Sequence, residues 1–134
     1  MSSIAEIKKA IKTLSINGTK KKNITLMQCT SAYPAPYDEI NLNTIATLKS
    51  IFKLNIGFSD HSLGVQASIA AAALGAKVIE KHLTLSKKLK GPDHRASLDP
   101  KEFKFMVQSI RIVEKTLGDK IKKITKTEKK TLLL

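Results

Sequence analysis

The sequence predicts an α/β fold built on a parallel sheet. Two observations carry this. Segments with apolar residues at helical spacing alternate with short apolar runs, in the order α-β-α-β-α-β-α. Strands separated by helices pair in parallel through right-handed crossovers, and such strands are buried on both faces. The second observation is where the polar residues fall. Ser31, Ser59, His61 and His82 stand at or just beyond the ends of the apolar runs. In parallel α/β folds the functional groups lie at these carboxyl ends.

The first helix opens at Ser3, which forms a capping box with Glu6 and is followed by Ile4, Ile7, Ile11 and Leu14 at helical spacing. Asn17-Gly18 stops it. The run from Ile24 to Cys29 is the first strand, and Tyr33-Pro34-Ala35-Pro36 makes the next stretch a loop. Leu42, Ile45, Leu48 and Phe52 mark the second helix. The second strand runs from Leu54 to Phe58 and leads into Ser59-Asp60-His61. A third, alanine-rich helix is predicted from about Leu63 to Leu74, stopped by Gly75, and a third strand from Lys77 to Thr84. Asp99-Pro100-Lys101-Glu102 is a strong helix start, with aspartate at the cap and proline in the first turn. Residues 1–118 thus form one domain, and 119–134 a basic tail predicted to be poorly ordered.

Composition narrows the function. A hydrophobic content of 42% excludes a disordered chain. No run of about 18 apolar residues is present, so no membrane-spanning helix is expected. The start Met1-Ser2-Ser3 lacks the basic and apolar regions of a signal peptide, and the single Cys29 fits a reducing compartment, so a cytoplasmic protein is expected. The net charge of +13 could mark a nucleic-acid binder. Against this, only Arg95 and Arg111 are arginines, and there are just two tyrosines, four phenylalanines and no tryptophan for stacking. The lysines cluster at 20–22, at 87–90 and along the tail, as solvated surface does.

Two imidazoles at the ends of successive strands can bind a divalent metal, which would polarise a substrate carbonyl. Asp60 and Glu80, beside the histidines in sequence, could help fill the coordination sphere. By spacing alone, histidines placed like His61 and His82 are more often polar loop residues than metal ligands, and a serine like Ser59 is more often a turn residue than a phosphate ligand. Tyr33 reads as packing and Cys29 as a buried small hydrophobe.

Four segments go further. They are residues 29–37 (CTSAYPAPY), 57–64 (GFSDHSLG), 74–84 (LGAKVIEKHLT) and 91–98 (GPDHRASL). In this order and spacing they resemble the sialic acid synthase family, which includes the neuraminate, legionaminate and pseudaminate synthases. The resemblance covers roughly residues 1–130. It implies a (β/α)8 TIM barrel followed by a small antifreeze-like domain. The implied reaction joins phosphoenolpyruvate to an N-acetylated amino sugar, giving a nine-carbon 2-keto sugar acid and phosphate. The implied cofactor is a divalent metal, most commonly Mn2+. Carried over residue by residue, His61 and His82 correspond to the metal ligands and Ser59 to a phosphoenolpyruvate contact. Ser31 corresponds to a second such contact, where some members have asparagine, and Tyr33 and Asp93 to sugar contacts. The stretch Asp93 to Ser97 is more similar to the neuraminate and legionaminate branches than to the pseudaminate branch.

The resemblance begins just after the family's fifth barrel strand. It implies a partial barrel, the last three parallel strands with flanking helices, without the early strands that hold phosphoenolpyruvate and without the terminal domain. Three strands leave edges with unpaired N–H and C=O groups. The expected partner is a complementary amino-terminal barrel half, or a second copy of the chain. The alternative expectation is a non-enzymatic truncated product or interaction module.

Overall fold

The structure, a computed structural model, describes residues 1–131. Its elements in order are α1 (Ile4–Ile16), β1 (Thr25–Cys29), α2 (Thr44–Phe52), β2 (Asn55–Asp60), α3 (Gln66–Ala73), β3 (Ile79–Lys81), α4 (Pro100–Leu117) and α5 (Lys126–Thr131). Short 3-10 turns at Lys21–Asn23 and Tyr37–Glu39 complete it. The three strands form one parallel sheet in the order β1-β2-β3. The predicted α/β alternation and parallel pairing are therefore what the chain adopts.

Strand parity divides the sheet into two unlike faces. Ile56 and Phe58 of β2 point to the helices and are buried with Ile45, Leu48, Ala67 and Ala71. A second cluster, Val65, Ala72, Leu98, Met106 and Ile110, joins α3 to α4. The buried face of α3 consists of Ala67, Ser68, Ala71 and Ala72, small residues that let this helix lie close to the sheet. Met27, Cys29, Gly57, Ser59 and Glu80 have the opposite parity. This second face carries the site described below.

The element ends depart from the sequence expectations in three places. First, β3 is three residues long rather than eight, because beyond Lys81 the chain leaves β2 for the segment before α4. There the Leu98 N–H donates to the His82 carbonyl at 3.0 Å, and the Thr84 N–H to the Leu98 carbonyl at 2.9 Å. Second, α3 starts at Gln66 rather than near Leu63, after a turn in which the Asp60 carboxylate accepts the Ser62 N–H and Gly64 adopts φ +68°. Third, the tail contains α5, whose start is tied by Thr125 and Glu128: each backbone N–H donates to the other's side chain. Residues 119–131 are exposed throughout. Leu132, Leu133 and Leu134, the end of the tail expected to be poorly ordered, lie outside the described residues. Among the described residues no helix is long and apolar enough to cross a membrane.

Candidate active site

Parallel strands deliver their last residues to one end of the sheet, and there three rings meet. Tyr33 stacks on His82 with ring centroids 4.4 Å apart and planes 30° from parallel. It meets His61 edge-on at 5.3 Å. The two imidazoles are 5.4 Å apart at an interplanar angle of 75°. Tyr33 comes from the loop after β1, His61 follows β2 directly, and His82 follows β3 directly.

Neighbouring backbone fixes the three rings. The Ala35 N–H donates to the His61 carbonyl at 2.9 Å, which ties the tyrosine loop to the end of β2. The Tyr33 hydroxyl lies 3.3 Å from Ser97 Oγ and 3.4 Å from the Asp93 carbonyl, to which it donates, which ties it to the loop before α4. Ser97 in turn donates to the Asp93 carbonyl at 2.7 Å. Asp93 Oδ2 is 3.7 Å from His82 Nδ1. Cys29 Sγ is 3.9 Å from His61 Nδ1. On both imidazoles the protein therefore meets Nδ1, which leaves Nε2 as the nitrogen for a ligand. Metal-binding histidines characteristically hydrogen-bond through their second nitrogen; at 3.7 Å Asp93 stands beside His82 Nδ1 without bonding it.

The geometry suits a shared ion. Imidazoles bound at about 2 Å to one ion, at near-right or tetrahedral angles, hold their ring centroids roughly 5 Å apart. The observed 5.4 Å fits that value. Two ligands do not complete a site, however. Among the described residues no group of three His, Cys, Asp or Glu side chains is placed to hold an ion.

The two carboxylates considered as further ligands are engaged elsewhere. Glu80 Oε1 accepts the Ser59 hydroxyl at 2.6 Å, across the register pair Ser59–Glu80. Asp60 points to the helix side of the sheet, where its Oδ2 is 3.1 Å from Lys81 Nζ in a fully buried ion pair. Burial pushes the Lys81 ammonium below its ordinary value, and the charge and hydrogen bond of Asp60 act against that. Cys29 is only half-buried and faces His61, so it is not the enclosed hydrophobe that its composition suggested.

Of the residues singled out from sequence, Tyr33, His61, His82 and Asp93 thus come together. Ser59 lies one residue before His61, buried, with its hydroxyl given to Glu80. Ser31 is exposed on the loop two residues before Tyr33 and takes no part in the hydrogen bonds that tie the cluster. Sequence reading gave no role to Ser97 and placed His94 only on the loop of Asp93 at this end. His94 Nδ1 is 2.7 Å from Thr84 Oγ1, which fastens the loop of Asp93 to the segment after His82. A cavity of about 280 Å³ lies here, lined by His82, Asp93, His94 and Ser97 among others. A larger one, about 940 Å³, is lined by Lys21, Lys22, Lys49, Lys53, Asn55 and Leu74 and shares no residue with the histidine site.

Comparison with known proteins gives a consistent picture. The NeuB family profile matches residues 1–122. The chain is 51% identical over 132 residues to the N,N'-diacetyllegionaminic acid synthase of Campylobacter jejuni, a match covering 98% of this chain and 40% of that protein. It is 46% identical over 107 residues to the human N-acetylneuraminate-9-phosphate synthase, covering 79% of this chain and 30% of that one. Among solved structures, the N-acetylneuraminic acid synthetase of Leptospira borgpetersenii superposes with a TM-score of 0.86 at 33% identity, over 99% of this chain and 46% of that chain. The chain therefore spans less than half the length of the proteins it matches.

Proposed function

The chain belongs to the NeuB family, and from that membership we propose that it supplies the metal-binding end of a sialic acid-type synthase. In this reading the enzyme condenses phosphoenolpyruvate with an N-acetylated amino sugar, and its remaining barrel strands come from a complementary half. The observation that carries the reading is the convergence of Tyr33, His61 and His82 at the carboxyl end of three parallel strands. A fold match alone would not, since one barrel serves many reactions.

A divalent ion, with Mn2+ the first choice, would supply Lewis-acid polarisation of the sugar aldehyde. The Nε2 atoms of His61 and His82 would hold it. Asp93 stands beside His82 Nδ1, and the two loops that carry Tyr33 and Asp93, joined through the Tyr33 hydroxyl, offer polar groups to the sugar. Ser59, whose hydroxyl already donates to Glu80, has its oxygen lone pairs left to accept from a ligand. Phosphate and carboxylate binding would fall to cationic groups of the complementary half.

The test is complementation. Mixing this chain with a polypeptide carrying the first five strands of a relative's barrel should give phosphate release that requires phosphoenolpyruvate, the amino sugar and Mn2+. His61→Ala or His82→Ala should abolish it. No turnover from a stably reconstituted barrel would remove the enzymatic reading and leave a non-enzymatic or interaction role.

A further inference from the structure

Each histidine of the site follows directly on one partner of a buried ion pair. We infer that Asp60 and Lys81 are positioning residues that set the spacing and orientation of His61 and His82. This rests on the reading of those histidines as metal ligands.

Asp60 and Lys81 are register partners on β2 and β3, with side chains 0% and 1% exposed. All the oxygen atoms of this carboxylate are engaged. Oδ1 accepts the Ser62 N–H at 2.8 Å and the Ser62 hydroxyl at 2.6 Å. Oδ2 accepts the Ser68 hydroxyl at 2.5 Å and lies 3.1 Å from Lys81 Nζ. Lys81 also donates to the Ser62 carbonyl at 2.5 Å. One carboxylate and one ammonium therefore join the end of β2, the loop after it, α3 and β3.

His61 sits inside this clamp. The residues on both sides of it, Asp60 and Ser62, are fastened to each other and to Lys81. His82 is the residue after Lys81, and its own carbonyl is held by the Leu98 N–H. Alternation along the strand then sends the imidazoles to the opposite face from the pair. A rigid rung on the helix side fixes where two flexible rings begin on the site side.

Stability alone does not require such a pair. A buried ion pair is often replaceable by apolar residues with no loss, and sometimes with a gain. What a fully hydrogen-bonded buried network provides is a single geometry. Ligand placement is what a two-histidine metal site needs from its scaffold.

The proposal separates from a purely structural role by measuring stability and metal affinity on the same variant. The double variant Asp60→Asn/Lys81→Met leaves net charge unchanged and no buried charge unpaired. The probe is Ni2+, which imidazole binds more tightly than Mn2+, titrated calorimetrically into the 134-residue chain. The double variant should keep the far-ultraviolet circular dichroism and melting transition of wild type. Its Ni2+ affinity should fall about tenfold or more, as when the support of a metal ligand is removed. An affinity within about twofold of wild type, in a folded double variant, overturns the inference. If that variant does not fold, Ser68→Ala decides: it removes one bond to Asp60 and keeps both charges. A several-fold weaker site supports the inference and unchanged affinity overturns it. His61→Ala and His82→Ala should each abolish the site. If wild type shows no Ni2+ binding that depends on these histidines, the metal reading itself falls and takes the inference with it.

Discussion

At Gly57 the sheet leaves no room for a side chain. A Cβ built there would lie 2.3 Å from Met27 Sδ and 2.8 Å from the Val78 carbonyl oxygen. The methionine can swing away, but the carbonyl cannot, because it accepts the Phe58 N–H that pairs β2 with the segment entering β3. Gly57→Ala should therefore destabilise the chain by about 1–3 kcal/mol, the usual cost of overpacking. Urea unfolding of the two proteins measures this, and equal midpoints would show that β3 yields instead. Residue-level reading of the sequence succeeded where it needed only local parity. Alternation along 78–82 places Glu80 and His82 opposite Lys81, and the hydrogen bonds of Ser59 with Glu80 and of Lys81 with Ser62 agree. It failed at Asp60. That residue is adjacent to His61 in sequence but on the other face, and its partner is identified by the β2–β3 register, which the sequence does not state. For the same reason the contact of Cys29 with His61 was out of reach.

Helix signals were the more legible at the scale of elements because their partners lie three residues apart. The Ser3–Glu6 and Asp99–Glu102 boxes form as the spacing predicts. The start of α5 carries the same kind of signal in Thr125 and Glu128, obscured by a run of lysines and threonines. Strand ends were less legible, since β3 stops where long-range pairing with Leu98 takes over. The cap of α4 makes a prediction about acid. Lys87 donates to the Glu102 carboxylate at 2.6 Å and the Asp99 N–H donates to it at 2.9 Å, which together hold this carboxyl below its ordinary value. A carboxyl depressed in the folded state contributes stability above its unfolded value, about 4.3. That contribution is lost as pH falls through the folded value. Glu102→Gln should accordingly lower the melting temperature at pH 7 and converge on wild type near pH 3. A constant difference across that range would show that the carboxylate charge is not the cause. Asp99→Ala, which removes the N-cap acceptor, should cost about 1 kcal/mol at neutral pH.

Among the described residues the sheet has one strand paired on both sides and two paired on one side. β2 is hydrogen-bonded on both sides and covered by α2 and α3, whereas β1 is paired on one side only. α1, which precedes it, buries no residue fully and leaves Ile4, Leu14 and Ile16 exposed. A cavity of about 490 Å³ runs between Ile4 and Ile7 of α1 and residues 26–29 of β1, where a further element of a barrel would have to pack. Local stability should follow this order, because an amide exchanges through the least costly opening that exposes it. Hydrogen exchange of the chain alone should protect the amides of β2 most and leave the outward amides of β1 and those of α1 poorly protected. Addition of the complementary barrel half should then protect β1 and α1 preferentially, since binding stabilises what it covers. Protection that rises uniformly would mean that the partner merely stabilises a fold already complete. Protection gained only around β3 would place the joint at the other edge. If β1 is protected in the chain by itself and the protection grows with protein concentration, the edge is covered by a second copy. In that case complementation has to compete with self-association, which a net charge of +13 on each copy opposes at low salt.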